Sequence, residues 1–496
     1  MKQSQRIVKN ILAGGVAVGI GGVIQLAAVV LIARTVGVTQ FGVYSFILAF
    51  AMFFQLLADS GLSNILVREL AVEPQKMPQT LGAALSLIWL LTIVAAGLIL
   101  IVVPFLSFPP HVKVLAICMG AATLSQFHAT AYGSVLRSQE DNELHALGFI
   151  LHKLAFFLLV LIGLKAGYAL PAVVLAHLIP NLMLWAFYRW IVVRNYTHPG
   201  MLIDVTTWRY LLKHSLPVGG ATMLRLLSQQ IDVMILTMLT DLKTVGLFSG
   251  PYRISMALRF IPQTMAIPLY PMYSRLARDP KQREHLRAAY IRSVKFFLVI
   301  GLPIAVAFIS LSKELVTLLL GSKYLGATPA MQILGLAFIP FFVTNPLPFL
   351  LTALDEQRFL LVSTVVSFAL RIVLNVALTR AWGFLGPCVA FFASEVVMLV
   401  IVSAKLSRCG LKLDFIHTMW KPMLAAAAMA VALRLAQDAP PIWLIPIATF
   451  ASLAYFALVL KLGTFSSTDL ALAREGLGFL GPLIAKWTNQ PQHKVA

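Results

Sequence analysis

Charge is what this chain has least of. Of its 496 residues 12% are charged, 59% are hydrophobic and the mean hydropathy is +0.86. A water-soluble domain carries about 25% charged residues, so an ordinary soluble enzyme or scaffold is excluded. Acids are scarcer still: 19 Asp and Glu stand against 39 Lys and Arg, for a net charge of +20. Three cysteines are too few and too scattered for a disulfide framework, because Cys118 and Cys388 fall inside apolar runs and Cys409 at the edge of one. The histidines, His145 and His152 among them, form no HExxH pattern. Neither a metal site nor a cofactor is called for. Hydrophilic stretches are short as well. The two longest, about 194–214 and 273–290, fall well below the roughly 50 residues a folded domain needs.

What is present is apolar sequence in long runs. About fourteen stretches, mostly of roughly 18–25 residues, match the length of a membrane-crossing helix. Their starts lie near Asn10, Phe41, Thr80, Val112, Leu144, Ala169, Leu216, Val245, Ile291, Ala327, Phe359, Phe384, Lys421 and Ile442. The apolar run from Ile11 continues past Leu31, longer than a signal-peptide core, so it reads as the first span. Of the 39 Lys and Arg, eight (Arg34, Lys113, Lys165, Lys243, Lys313, Lys323, Arg380, Arg434) fall on the side away from the N-terminus. Six more lie within spans, which leaves 25 on the N-terminal side. That bias predicts a cytoplasmic N-terminus and, with an even number of spans, a cytoplasmic C-terminus. The basic residues are interrupted by spans and form no continuous face, which argues against nucleic-acid binding. Contact with anionic lipid headgroups is expected at the cytoplasmic surface.

The chain reads as duplicated. Gln40-Phe41-Gly42-Val43-Tyr44-Ser45 opens the second span and Thr244-Val245-Gly246-Leu247-Phe248-Ser249 the eighth, 204 residues later. Gly167-Tyr168 with Pro171 and Val173 matches Gly383-Phe384 with Pro387 and Val389 at an offset of 216. A block of six helices therefore recurs, and an even block gives parallel repeats. The expected organisation is a six-helix unit over 1–194, a cytoplasmic linker over 195–214, a second six-helix unit over 215–407, and two further spans with a cytoplasmic tail over 408–496. Gly14, Gly15, Gly19, Gly21 and Gly22 suit close helix packing in the first span. Pro251, Pro262, Pro268 and Pro271 predict kinks in and after the eighth.

Several spans carry polar residues at helical spacing: Gln55, Asp59 and Ser63; Arg225, Gln229 and Asp232; Ser255, Arg259 and Gln263; Ser363, Ser367, Arg371, Asn375 and Thr379. Such stripes put one helix face on an aqueous path or a partner, since a charge in the bilayer costs at least about 2.5–3.5 kcal/mol. Counting residues from the span ends puts Asp232 level with Arg253, which predicts an ion pair, and puts Arg225 level with Arg259 near mid-membrane with no acid nearby in sequence. Glu395 is a candidate to neutralise Arg371, and Lys153 and Lys295 to snorkel or pair internally. Six basic residues within spans (Lys153, Arg225, Arg253, Arg259, Lys295, Arg371) face three acids (Asp59, Asp232, Glu395). A path for a cation would show the opposite balance, and arginine suits phosphate through its bidentate fork. The expected cargo is anionic.

The sequence resembles the polysaccharide-transport branch, the Wzx-type flippases, of the multidrug/oligosaccharidyl-lipid/polysaccharide exporter superfamily. The resemblance rests on Gly37 through Gln40-Phe41-Gly42-Val43-Tyr44-Ser45, Asp59-Ser60-Gly61-Leu62 and Arg68-Glu69 in the first half. In the second half it rests on Gln230-Ile231-Asp232, on Val245 to Ser249 with Tyr252-Arg253-Ile254, and on Leu320-Gly321, Tyr324 and Gly326-Ala327. It implies an all-α polytopic membrane protein with two lobes around a central cavity and two extra C-terminal helices, working by alternating access in a bacterial or archaeal cytoplasmic membrane. The implied cargo is a polyprenyl-pyrophosphate-linked oligosaccharide, with proton or Na⁺ coupling and polysaccharide assembly proteins as expected partners. Arg225, Arg259 and Arg371, with Gln229 and Asn375, are the positions here that match a substrate-binding role. Asp232, Arg253 and Asp59 match an ion-pair or coupling role.

Three other readings share some of these features. A cation-coupled drug exporter would favour an acid-rich cavity, and a lipid II flippase would share the mechanism with a different headgroup. A membrane glycosyltransferase or polymerase would want paired carboxylates or a large outer loop. Glu140, Asp141 and Glu143 cluster only in a short cytoplasmic loop, where a solvated turn suffices.

Overall fold

Inside a bilayer no water is at hand for the backbone, so each apolar run has to close its hydrogen bonds within itself as a helix. The computed structural model describes residues 3–59, 61–266, 268–436 and 441–465, and among these no strand occurs. The tail expected after the last span lies outside the described residues. The chain opens with α1 (Gln3–Asp59), a 57-residue helix interrupted at Gly37, whose φ of 78° and ψ of 176° suit a residue without Cβ. An unbroken helix of that length would reach about 85 Å, nearly three bilayer cores, so its arms over 3–36 and 38–59 are two spans.

The first half continues with α2 (Leu62–Val72), α3 (Met77–Val102), α4 (Pro110–Ser138), α5 (Asn142–Lys165) and α6 (Ala169–Asn195). The second half holds α7 (Val205–Leu239), α8 (Leu242–Ala257), α9 (Phe260–Ala266), α10 (Leu269–Arg278), α11 (Arg283–Ser310), α12 (Ser312–Leu315), α13 (Thr328–Thr344), α14 (Leu347–Ala353), α15 (Gln357–Trp382) and α16 (Leu385–Arg408). Then come α17 (Phe415–Leu435) and α18 (Pro441–Lys461).

Nine segments of the described residues are long and apolar enough to cross a membrane, the first being Ala17–Val72. Dividing that one at Gly37 and adding α7, the broken α8–α10, α17 and α18 gives the fourteen expected from the sequence. Large apolar side chains such as Ile93, Ile101, Phe105 and Phe450 point outward over the bundle, as lipid contact requires.

α7 starts about eleven residues earlier than hydropathy alone suggested. Asp204 caps it, its carboxylate accepting from the Thr206 amide at 3.0 Å and from the hydroxyls of Thr206 and Thr207. Those bonds hold the Asp204 carboxyl down at about 2. The expected kinks of the eighth span fall at two particular places. Pro251 stays inside α8, whereas the helix breaks at Leu258–Arg259, where Pro262 has no N–H to offer the Leu258 carbonyl, and α10 starts immediately after Pro268.

In the first half α4 packs on α6, α1 and α3, and α5 on α1 and α6; in the second, α15 packs on α16 and α7, and α13 on α11 and α16. The halves meet chiefly where α1 crosses α8. The crossing is reciprocal. A Cβ on Gly42 would lie 1.9 Å from the Leu242 carbonyl oxygen, and one on Gly246 2.0 Å from that of Val38. Only glycine allows backbones to approach so closely. At the same end Arg34 Nη2 donates to the Leu318 carbonyl at 2.7 Å, on a π-helical turn over Val316–Leu320. A second apolar cluster joins α10, α11, α14 and the end of α16 to α17 and α18, through Tyr290, Leu298, Leu350, Leu406, Met429 and Tyr455.

Candidate functional site

α7 touches α15 on one side and α1, α2 and α3 on the other, so its polar stripe lies between the two halves. On the α15 side, Arg225, Ser228 and Gln229 line an interior cavity of about 90 Å³ together with Arg259, Phe341, Thr344, Asn345, Ser367, Arg371, Ser394 and Glu395. One buried water needs about 10–15 Å³ on this measure, so the cavity has room for a cluster of waters or a phosphate-sized group. Six residues singled out from sequence thus converge: Arg225, Gln229, Arg259, Ser367, Arg371 and Glu395.

Arg225 is exposed to the cavity and shows no ion pair among the described residues. Arg259 is 7% exposed; its guanidinium lies 4.5 Å from the centre of the Phe341 ring and Nη1 meets the Met256 sulfur at 3.2 Å. Its Nε is shielded from solvent with no hydrogen-bond partner. Glu395 reaches the same cavity from α16 and accepts from the Thr344 hydroxyl at 3.1 Å. The arginines are therefore not without an acid nearby, as sequence distance suggested; the acid comes from a helix more than 130 residues away in sequence.

The expected Asp232–Arg253 pair does not form. Asp232 is fully buried, and its carboxylate receives both arms of the Arg371 guanidinium: Nε at 2.9 Å on Oδ1, and Nη2 on Oδ2. Asn375 Nδ2 donates to the Asp232 Oδ1 at 2.9 Å, and the Thr379 hydroxyl donates to the Asn375 Oδ1 at 2.9 Å. The Arg371 guanidinium also lies 4.7 Å from the centre of the Phe391 ring. Level counting failed because it compared only neighbouring spans, whereas α15 presents Arg371 and Asn375 one turn apart on a single face directed at α7.

Arg253 turns the other way. Its Nε donates to Ser45 Oγ at 3.2 Å, and its guanidinium lies 5.1 Å from the centre of the Tyr44 ring, tying α8 to α1. Asn375 is fully buried behind the Asp232–Arg371 pair and is absent from the cavity lining. Asp59 lies elsewhere, accepting from the amide of Ser63 at 3.1 Å and its hydroxyl at 2.6 Å. Lys153 Nζ donates to Gln25 at 3.0 Å rather than reaching a membrane face, and Lys295 Nζ approaches the Thr464 carbonyl at 3.5 Å.

With Asp232 balancing Arg371, two arginines and one glutamate remain at the cavity, a net charge of +1. Sequence reasoning missed Phe341, Thr344 and Asn345 on α13 and its C-terminal edge. These residues are ordinary within an apolar run and become distinct only once packed beside Arg259.

A two-lobed helical bundle with a charged interior cavity defines a multi-pass membrane transporter. The family model described as polysaccharide biosynthesis protein matches residues 7–277, and the chain belongs to that family, within the polysaccharide-transporter branch anticipated from its motifs. Among curated relatives it is 22% identical over 439 residues to the teichuronic acid biosynthesis protein TuaB of Bacillus subtilis (strain 168), covering 82% of this chain and 84% of that one. It is 23% identical over 412 residues to the probable low-salt glycan biosynthesis flippase Agl15 of Haloferax volcanii, covering 81% and 84%. Among solved structures, the lipid II flippase MurJ in an inward closed conformation superposes with a TM-score of 0.73 at 14% identity, over 95% of this chain and 100% of that one.

Proposed function

We propose that this protein moves a polyprenyl-pyrophosphate-linked oligosaccharide from the inner to the outer leaflet of a bacterial or archaeal cytoplasmic membrane by alternating access, with both termini cytoplasmic. The observation that carries the reading is the pair Arg225 and Arg259, facing one interior cavity whose single unpaired acid, among the described residues, is Glu395. An anionic pyrophosphate crossing the bilayer needs such a cationic station, because an uncompensated charge is expelled from low dielectric. The cavity is too small for an oligosaccharide, so the lobes separate to admit cargo and close behind it. The names of the relatives, a teichuronic acid biosynthesis protein and a glycan flippase, support a cell-surface glycan as the cargo's destination.

Arg225→Ala or Arg259→Ala is expected to abolish surface polysaccharide at unchanged protein level, and lysine to restore it in part, keeping charge but losing the bidentate fork. Normal export by both alanine variants at low expression would rule the reading out. A lipid II cargo is the second reading, favoured by the overlay with MurJ along nearly the whole chain. Rescue of growth in cells depleted of their own lipid II flippase would select it.

A further inference from the structure

A neighbouring flank of α7 borders a second cavity, of about 330 Å³, to which the first six spans contribute most of the wall. Its polar lining differs in kind from that of the arginine cavity. Gln55 on α1, Asn64 on α2, and Gln126 and Thr130 on α4 face it, with Asp59 and Arg137 at one end. The two charges offset each other, which makes it neither an anion site nor a cation site. Asp59 is engaged with Ser63, and Arg137 Nη2 donates to Ser134 Oγ at 3.1 Å while its Nε is shielded and unpartnered.

The three amides make no side-chain hydrogen bond to another described residue. Each offers two donors and an acceptor to the cavity, the set that matches a hydroxyl, which both donates and accepts. Asn64 is exposed and Gln55 and Gln126 are half-buried, so all three amides are accessible to a hydroxyl that enters the cavity. A carbohydrate ring, rich in hydroxyls and with an apolar face to set against the adjoining Phe127, fits this lining.

Position links the two cavities. Thr222, Met223 and Leu226 of α7 wall the second, and Arg225, Ser228 and Gln229 the first. The two sets interleave within two helical turns, so their centres differ by only about 5 Å along the axis. The two linings therefore lie side by side along one helix, as the two ends of a sugar phosphate would require.

We infer that the amide-lined cavity is a carbohydrate subsite, which holds the glycan of the cargo while Arg225 and Arg259 hold its pyrophosphate. This rests on the function proposed above and divides that cargo between the two halves of the protein. The subsite reaches the end of the bundle where α2 and the α6–α7 connection lie, the cytoplasmic end in the proposed orientation.

The test measures binding to the full-length protein in lipid nanodiscs with two probes. One is undecaprenyl pyrophosphate; the other is lipid-linked oligosaccharide extracted from cells lacking this transporter. The wild type is expected to bind the glycosylated probe at least about tenfold more tightly. Gln126→Ala and Asn64→Ala should each remove most of that advantage while binding the bare lipid as the wild type does. Arg225→Ala should weaken both probes alike. Should either amide variant melt early, Gln55→Leu, which keeps the volume and removes the amide, takes its place. Amide variants that retain the full preference, or that lose both probes equally, overturn the subsite and leave the arginine site standing. Bare lipid binding that ignores Arg225→Ala removes the parent reading and the subsite with it.

Discussion

Asp232 is fully buried, and its carboxylate accepts hydrogen bonds from Arg371 and Asn375. Breaking such a pair leaves one bare charge in low dielectric, at a cost of about 3–5 kcal/mol, whereas replacing both partners is often close to neutral. Asp232→Asn alone and Arg371→Met alone are therefore expected to lower the melting temperature of the purified protein sharply. The double variant should recover most of the loss. A double variant as unstable as the worse single one would contradict a simple charge balance. The same cycle bears on coupling by a proton or Na⁺. If Asp232 drives the cycle, the double variant should be stable yet export nothing.

At the scale of helices, the crossing of α1 and α8 holds the two tightest glycine contacts among the described residues. A methyl on Gly42 or Gly246 would overlap the facing carbonyl, and neither backbone can yield without separating the helices. Gly42→Val and Gly246→Val are expected to hold this end of the bundle open. The readout is thiol labelling of a cysteine placed at Val245, which is fully buried next to Gly246 at the crossing. Labelling should rise in both glycine variants, and unchanged labelling would mean that the crossing does not act as a gate. The first turn of α7 depends instead on a cap outside the membrane. The carboxyl of Asp204 is depressed to about 2, so the cap is fully present above the ordinary carboxylate range and fades as pH falls through 2. Hydrogen exchange at the amides of Thr206 and Thr207 should quicken in Asp204→Ala at neutral pH, and in the wild type only near pH 2.

For the molecule as a whole, the contact between Gly42 and Leu242 places residues 39 and 243 at one end of the bundle. Any topology must therefore put them on the same side of the membrane. The charge bias of the loops predicts that this side is the outer one. Cysteines introduced at Thr39, Lys243 and Arg380 should all react with an impermeant reagent added to intact cells. Reaction of any one of them only after permeabilisation would refute the orientation, and with it the direction of transport proposed here.

The sequence by itself determined the spans and the class of protein. A backbone in lipid has no alternative to the helix, so long apolar runs mark the crossings, and the arginines on their helical stripes were legible for the same local reason; that the first two spans form one helix interrupted at Gly37 was not. Which stripe faces which is not a local property. Asp232 and Arg371 are 139 residues apart and Arg225 and Glu395 farther still, and periodicity reports only that each has a partner or a cavity somewhere. Level counting chose Arg253 for Asp232 because depth is one coordinate and packing needs the rotation of each helix as well. That rotation follows from how α7 wedges between α15 and the helices of the first half, a matter of shape summed over many side chains. Only the tertiary structure decided it, and with it the separation of an arginine cavity from an amide cavity on the two flanks of one helix.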